Sequence, residues 1–291
     1  MSAYSTSLDV RARRRRKLVG ASLTALTYVF VGLMIAPIAW LLIASVQQRI
    51  SLATGEYDLL NPTFEAYRTM WGAVDFGHYF KNSLIICSVA TLLATAFAAS
   101  AGYALSRFRF RGSGAFSLGV IGTQLVPGSM FLLPLFLGFV WADRSLGVQL
   151  FDTYQGMILV YTAFFTPVAI FLMRAYFMAI PRELEEAALV DGCTRFGAFV
   201  RVVLPNAAPG IVATAVYAFL FAWDELLFAS NLTQSNAETI PIGIRNFIGN
   251  YNENYDQLMA AGVISTLPVM VAFFATQRWL VSGLTSGAVK E

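Results

Sequence analysis

Charge is scarce in this sequence. Only 13% of its 291 residues are Asp, Glu, Lys or Arg, against about 25% in a soluble globular domain, while 57% are hydrophobic and the mean hydropathy is +0.62. An ordinary water-soluble domain is excluded by that balance, and an integral membrane protein is indicated. Lysine occurs three times, as Lys17 after Arg, Lys81 after Phe and Lys290 after Val. None of them can complete the Gly-Lys-Ser/Thr of a phosphate-binding loop, so hydrolysis of ATP by that machinery is not expected of this chain. The single histidine, His78, leaves no paired-His metal helix, and neither a nucleophile elbow nor an aspartate-rich diphosphate site appears. No catalytic residue and no metal ligand is assigned. Cys87 sits in an apolar run and Cys193 in a charged insert far along the chain, so a disulfide is not expected. A net charge of +3 is too small to suggest a nucleic-acid partner.

What is present is length of apolar sequence. Crossing a bilayer takes about 20 residues of helix, and six stretches without Asp, Glu, Lys or Arg meet or approach that: Leu18–Val46, Asn82–Ser106, Gly112–Ala142, Thr153–Met173, Val202–Trp223 and Gln257–Gln277. Barrel strands would be about 10 residues long and alternate in polarity, a pattern absent here. The expectation is an all-α integral membrane protein of six helices. The second stretch is rich in Ala, Ser, Thr and Gly, which permit close helix approach. Pro127, Pro134, Pro167, Pro209 and Pro268 fall in the later ones and should bend them. The basic N-terminal run resembles a secretory leader, but its apolar stretch is too long, and it reads as a retained first span.

Basic residues set the orientation. With the N-terminus inside, fifteen of the twenty Lys and Arg lie on the inner side, which places both termini and the charged insert in the cytoplasm. The expected organisation is a basic tail over 1–17, a first helix and outer loop over 18–81, a helical membrane domain over 82–283 and a short cytoplasmic tail over 284–291.

The insert, "PRELEEAALVDGCTRFGAFVRVVLP", lies between the fourth and fifth spans. Pro181 suits a helix start, Glu183, Glu185 and Glu186 suit the positive end of its dipole, and Gly192 suits a left-handed cap. Leu184, Ala187 and Ala188 form a small apolar face. Thr194 suits the cap of a second helix, which Leu204-Pro205 should stop before span five. Helices of about 10 residues do not stand alone in water, so something must pack on them, and an acidic helix is a poor partner for anionic lipid.

Glu186, Ala187, Ala188, Asp191, Gly192, Phe196, Phe199, Val202, Leu204, Pro205 and Pro209 follow the pattern of the EAA loop, over 181–209, and the chain closely resembles binding-protein-dependent ABC importer permeases. "FAWDELLFASNLTQSNAETIPIGI" resembles the fifth-span segment of the carbohydrate-uptake type, and "QRWLVSGLTSGAVKE" is similar to the end of the six-span permeases of maltose transporters. Asp224 departs from the pattern, since relatives usually carry Asn there.

The resemblance implies a permease that pairs with a second homologous permease, two ATPase subunits holding ATP and magnesium, and an extracytoplasmic sugar-binding protein, in a bacterial or archaeal cytoplasmic membrane. No cofactor belongs to this chain. Glu185, Glu186, Ala187, Ala188, Asp191, Gly192, Phe196, Leu204 and Pro205 would form the ATPase-coupling surface. Trp223, Asp224, Glu225, Phe247, Tyr251 and Tyr255 are candidates for the translocation path or for contact with the binding protein. Asp224 and Glu225, about 100° apart if helical, should then not face one partner; the other reading is that the helix ends near them at the membrane interface. The rivals are an ion-coupled secondary transporter or channel, a membrane enzyme such as a lipid transferase, and, within the family, a permease for a phosphorylated polyol, a peptide or an amino acid.

Overall fold

The computed structural model of the chain describes residues 2–55, 57–58, 60–248 and 254–288, with side chains throughout except at 2–18, 53 and 280–288. The elements are α1 (Ser2–Ala44), α2 (Arg49–Thr54), α3 (Glu65–Ala73), α4 (Phe76–Arg107), α5 (Ser113–Leu125), α6 (Leu132–Leu146), α7 (Tyr154–Ala179), α8 (Arg182–Val190), α9 (Arg195–Ala198), α10 (Leu204–Asn206), α11 (Ala208–Trp223), α12 (Leu227–Leu232), α13 (Ile240–Asn246) and α14 (Tyr255–Ala288). No β-strand occurs among the described residues. With no water in the bilayer to satisfy backbone groups, helices that bond internally are what such a composition can form.

Five helical stretches are long and apolar enough to cross a membrane: Val19–Ala44, Phe76–Arg107, Gly128–Leu146, Tyr154–Ala179 and Tyr255–Trp279. A sixth results if Arg195–Asn206 and Ala208–Trp223, bent by 75° at Ala207, count as one span. Two boundaries differ from expectation. The third stretch is not one helix: α5 stops at Leu125, Val126 is extended, and a 3₁₀ turn over Gly128–Phe131 leads into α6. Pro127 is the cause, since it lacks an N–H and disfavours helical backbone at the residue before it. In the fifth, Leu204-Pro205 does not stop the helix. A π turn over Phe199–Val203 runs straight into α10, whose first turn accommodates Pro205, and the chain bends at Ala207 instead.

The chain forms two compact units, residues 1–69 with 254–263, and residues 70–253 with 264–291. In the first, the Ser45 and Tyr67 hydroxyls are 2.7 Å apart and the buried Gln47 side chain pairs in both directions with the backbone of Asp58. Leu41 lies against Gly262.

In the second, α4 packs along α7, and α11 leans on both. The core at one end of this trio contains Ala98, Ala99, Tyr103, Ala169, Ile170, Met173, Phe177, Val203 and Ala207. Small residues let the backbones approach, as in other membrane bundles. Gly102 is where it matters most: a β-carbon there would stand 2.8 Å from the Arg174 amide nitrogen and 2.9 Å from Met173 Cβ. Gly102→Leu should force α4 and α7 apart, and overpacking of this kind costs about 1–3 kcal/mol or more. Size-exclusion profiles and melting curves in detergent should show reduced monodisperse yield for the variant; a wild-type profile would mean that the two helices separate freely.

Candidate functional site

At one end of the second unit, the charged insert folds against the end of α4. Pro181 stands immediately before α8, and Glu183 and Glu185 lie in the first turn. Gly192 is left-handed at φ +86°; its N–H reaches the Leu189 carbonyl at 3.1 Å, and the Cys193 N–H reaches that of Ala188 at 2.9 Å. Both bonds of a Schellman cap are thus made. The Thr194 hydroxyl accepts from the Gly197 N–H at 3.1 Å and starts α9. Cys87 and Cys193 are both free thiols.

Glu185 and Glu186, adjacent in sequence, have different surroundings. Glu185 turns inward: the Tyr103 hydroxyl donates to Oε1 at 2.5 Å, and Arg107 Nε lies 3.1 Å from Oε2, an ion pair without the alignment of a hydrogen bond. Arg107 Nη2 also donates to the Ile180 carbonyl at 2.9 Å, and Arg182 Nη2 to that of Ser106 at 3.3 Å. The Arg195 guanidinium sits over the Phe108 ring. Glu186, Leu184, Ala187, Asp191 and Val190 are exposed, and Phe196 is 75% exposed, whereas Ala188 is buried. Leu204 is half-buried and Pro205 exposed on the neighbouring α10. Sequence reasoning missed Tyr103 and Arg107, although an Arg directly after an apolar run was the available signal.

Deeper in the unit, α11 ends at Trp223, so Asp224 and Glu225 are not helical neighbours. The helical alternative, in which they face apart, does not hold: released from the helix, both line one open depression of about 500 Å³ with Phe165, Leu220, Phe221, Leu226 and Leu227. Glu225 satisfies the first turn of α12, which has no intrahelical acceptors of its own. Its carboxylate accepts from the Phe228 N–H (2.9 Å), the Ala229 N–H (3.2 Å) and the Tyr161 hydroxyl (3.0 Å). Asp224 is exposed. Trp223 is buried, donating from Nε1 to the Ser265 carbonyl at 3.1 Å and stacking on Phe219.

The two interrupted spans meet here. Phe228 of α12 packs on Phe164 of α7, with ring centroids 4.3 Å apart, and Phe131 of the other break packs on Phe164 at 5.3 Å. A β-carbon on Gly128 would stand 3.4 Å from Phe228. Tyr161, Phe164 and Phe165 were not singled out in the sequence, where nothing separates three aromatics from any other apolar helix residues.

At the opposite end, the segment between α12 and α13 is held by polar groups. Asp152, left-handed at φ 55°, accepts from the N–H groups of Gln234, Ser235, Asn236 and Ala237 at 3.0–3.3 Å. Asn82 is fully buried, donating to the carbonyls of Asn236 and Glu238 and accepting from the Tyr154 hydroxyl at 2.6 Å. Ser83 Oγ accepts from the Ile240 N–H, and His78 Nε2 lies 3.0 Å from two carbonyls, so it carries the proton. Phe247 is buried against Phe76 and is not presented at the surface of this chain. Tyr255 is partly exposed, and Tyr251 lies outside the described residues.

Helices of bilayer length, with two breaks side by side in the second unit and a loop of short helices at one end of that unit, fit a multi-pass membrane protein. The chain belongs to the family of binding-protein-dependent transport system inner membrane components, whose model matches residues 94–286. It is 36% identical over 263 residues to the trehalose transport system permease protein SugB of Mycobacterium tuberculosis, covering 89% of this chain and 94% of that one. It is 32% identical over 286 residues to the diacetylchitobiose uptake system permease protein DasC of Streptomyces coelicolor, covering 95% and 99%. A crystal structure of a bacterial ABC transporter involved in the import of the acidic polysaccharide alginate contains a chain of the same fold, with a TM-score of 0.76 at 23% identity over 92% of this chain and 98% of that one.

The Asp152 anchor has a pH signature. Partial burial works to raise its pKa, but the four backbone N–H donors outweigh burial and hold the carboxyl below its ordinary value. A depressed folded pKa stabilises the fold fully above the unfolded value of about 3.9, and that contribution is lost as pH falls through the lower folded value. Asp152→Asn should therefore melt below wild type at pH 7, with the difference narrowing as pH falls below the unfolded value of about 3.9. Equal differences above and below that value in scanning fluorimetry would show that the charge does not hold the segment.

Proposed function

We propose that this chain is one permease subunit of an ABC importer for a saccharide, that it works with a second permease, two ATPase subunits and an extracytoplasmic binding protein, and that the loop of residues 181–209 is its cytoplasmic coupling surface. The observation that carries the reading is the division of labour within α8. Its inner side is locked to α4 by Glu185, Tyr103 and Arg107, while Leu184, Glu186, Ala187, Val190 and Phe196 stand exposed around it. An apolar patch beside the exposed carboxylates of Glu183, Glu186 and Asp191, on a helix too short to persist alone, suits a groove with basic residues. Exposed apolar patches of this kind mark protein interfaces. The excess of Arg and Lys on the same side supports a cytoplasmic position for the loop and both termini.

The saccharide assignment rests on relatives named for trehalose and diacetylchitobiose that match nearly the whole chain. Ion coupling at Glu225 is disfavoured by the geometry, because its oxygens are already committed to two amides and a hydroxyl. ATP-driven movement of the ATPases would enter through the docked face of α8 and pass to α4 and α7 as a rigid-body shift.

Purification of the chain from its native membrane tests this. Wild type should bring down a second permease and a P-loop ATPase. Glu186→Lys should lose the ATPase while melting within about 0.5 kcal/mol of wild type, as exposed substitutions do. Glu185→Ala should behave oppositely in stability, because stripping one partner from a buried pair costs about 3–5 kcal/mol. Recovery of a lone chain that takes up solute without ATP would sink the reading.

Gly192 gives a separate test. A left-handed Gly192→Ala costs about 1–2 kcal/mol of local backbone strain, while its β-carbon meets no other residue within 4 Å. It should leave the subunits assembled but lower the solute transported per ATP. Full coupling in this variant would remove Gly192 from the transmission path.

A further inference from the structure

The depression at the end of α11 has a chemistry that bears on which saccharides can pass. Its depth in the membrane follows from α7. At 1.5 Å per residue α7 is about 39 Å long, against about 30 Å of hydrocarbon. Tyr161 and Phe165 therefore lie roughly 10 and 16 Å from its Tyr154 end, inside the apolar slab. Glu225 bonds to Tyr161, and Phe165 lines the depression with Asp224. So an exposed carboxylate and three residues of non-helical backbone, 224–226, stand at bilayer depth. Lipid does not accommodate either: irregular backbone at this depth is tolerated only where protein buries it or where it lines a water-filled cavity, and an intramembrane carboxylate faces a polar path or a partner.

Three features define what the cavity would accept. Its volume of about 500 Å³ lies within the range of small-ligand sites. Its apolar walls are Phe165 and Phe221, in ring contact and backed by Tyr161 and Tyr217, together with Leu220, Leu226 and Leu227. Its charged lining is acidic throughout, with Asp224 and Glu225 and no Lys or Arg. Glu225 is committed to α12, which leaves Asp224 as the acceptor turned to the cavity.

We propose that this depression is a section of the translocation path that takes an uncharged saccharide, whose apolar ring face lies on Phe221 and Phe165 and whose hydroxyl groups donate to Asp224, and that it rejects saccharides bearing carboxylates. The inference rests on the saccharide-importer reading and narrows it. The structural neighbour that imports an acidic polysaccharide shares the fold at 23% identity, and its substrate chemistry does not carry over to a cavity whose only charges are negative.

The test uses the intact transporter in cells that lack the chromosomal copy of this chain and carry wild type, Asp224→Asn or Asp224→Ala. Uptake is measured with labelled trehalose, maltose and diacetylchitobiose, and with a labelled alginate-derived oligouronate, alongside ATPase activity and subunit composition. Wild type should import at least one uncharged sugar and no oligouronate. Asp224→Ala should lower sugar transported per ATP by about tenfold, the effect of losing a charged hydrogen bond, with the complex intact. Asp224→Asn, which still accepts, should retain most of the uptake. Oligouronate import by wild type overturns this inference alone. Unchanged uptake in Asp224→Ala also overturns it, as does loss of the second permease from that variant, which would make the depression a subunit contact. Absence of uptake for every saccharide overturns the importer reading and this one with it.

Discussion

Every backbone N–H and C=O inside a bilayer must find a partner within the protein, and most of this chain's design follows from that constraint. Where helices run on, the constraint is met without help from side chains. Where they stop, side chains take over. Glu225 supplies acceptors for the first turn of α12, and Asp152 supplies them for four successive amides after α12. The buried Asn82 uses both its amide protons and its oxygen. In a sequence with so few charged residues, two of the acidic ones serve these interruptions.

One helix grips both ends of the second unit. The last turn of α4 and the residues before it hold the α8 loop through Tyr103, Ser106 and Arg107, while its first turns hold the 233–240 segment through His78, Asn82 and Ser83. Between these grips α4 lies against α7 so closely that Gly102 has no room for a side chain. A displacement applied at α8 therefore acts on a stiff pair of helices rather than on a string of loops. The contacts at the two ends are polar and directional, those in the middle are packed small residues, and neither kind deforms continuously.

The helical bundle was legible in the sequence because the signal there is length of apolar run, which needs no knowledge of neighbours. The turn at Gly192 and the cap at Thr194 were legible for a related reason, since both are local backbone requirements that few residue types meet. What could not be read was long-range. Glu185 and Glu186 are indistinguishable on paper, and only the position of Arg107, 78 residues earlier, separates the strut from the exposed face. For Asp224 and Glu225 both a helical and a helix-end reading stood open, because the charge-free run stops at Trp223 without showing whether the helix stops with it. Phe247 reads as a candidate contact in a polar loop, but the ring is buried on Phe76, a partner far back in the chain. Pro205 was read as a stop because proline usually is one, and the π turn before it removed the conflict.

The adjacent carboxylates at the break illustrate how one backbone transition assigns two roles. Had α11 continued, the helical rotation of about 100° would have turned the two apart. Ending the helix at Trp223 removes that geometry. Trp223 is fixed by the Ser265 carbonyl and by Phe219, so the end point is held from the side. Glu225 is then drawn to the amides that the break itself exposes, and its charge is absorbed by structure. Asp224 is one residue too early to reach them and is left facing the depression. The same interruption thus consumes one carboxylate to stabilise itself and presents the other, so the polarity of the depression is a consequence of how the break is built.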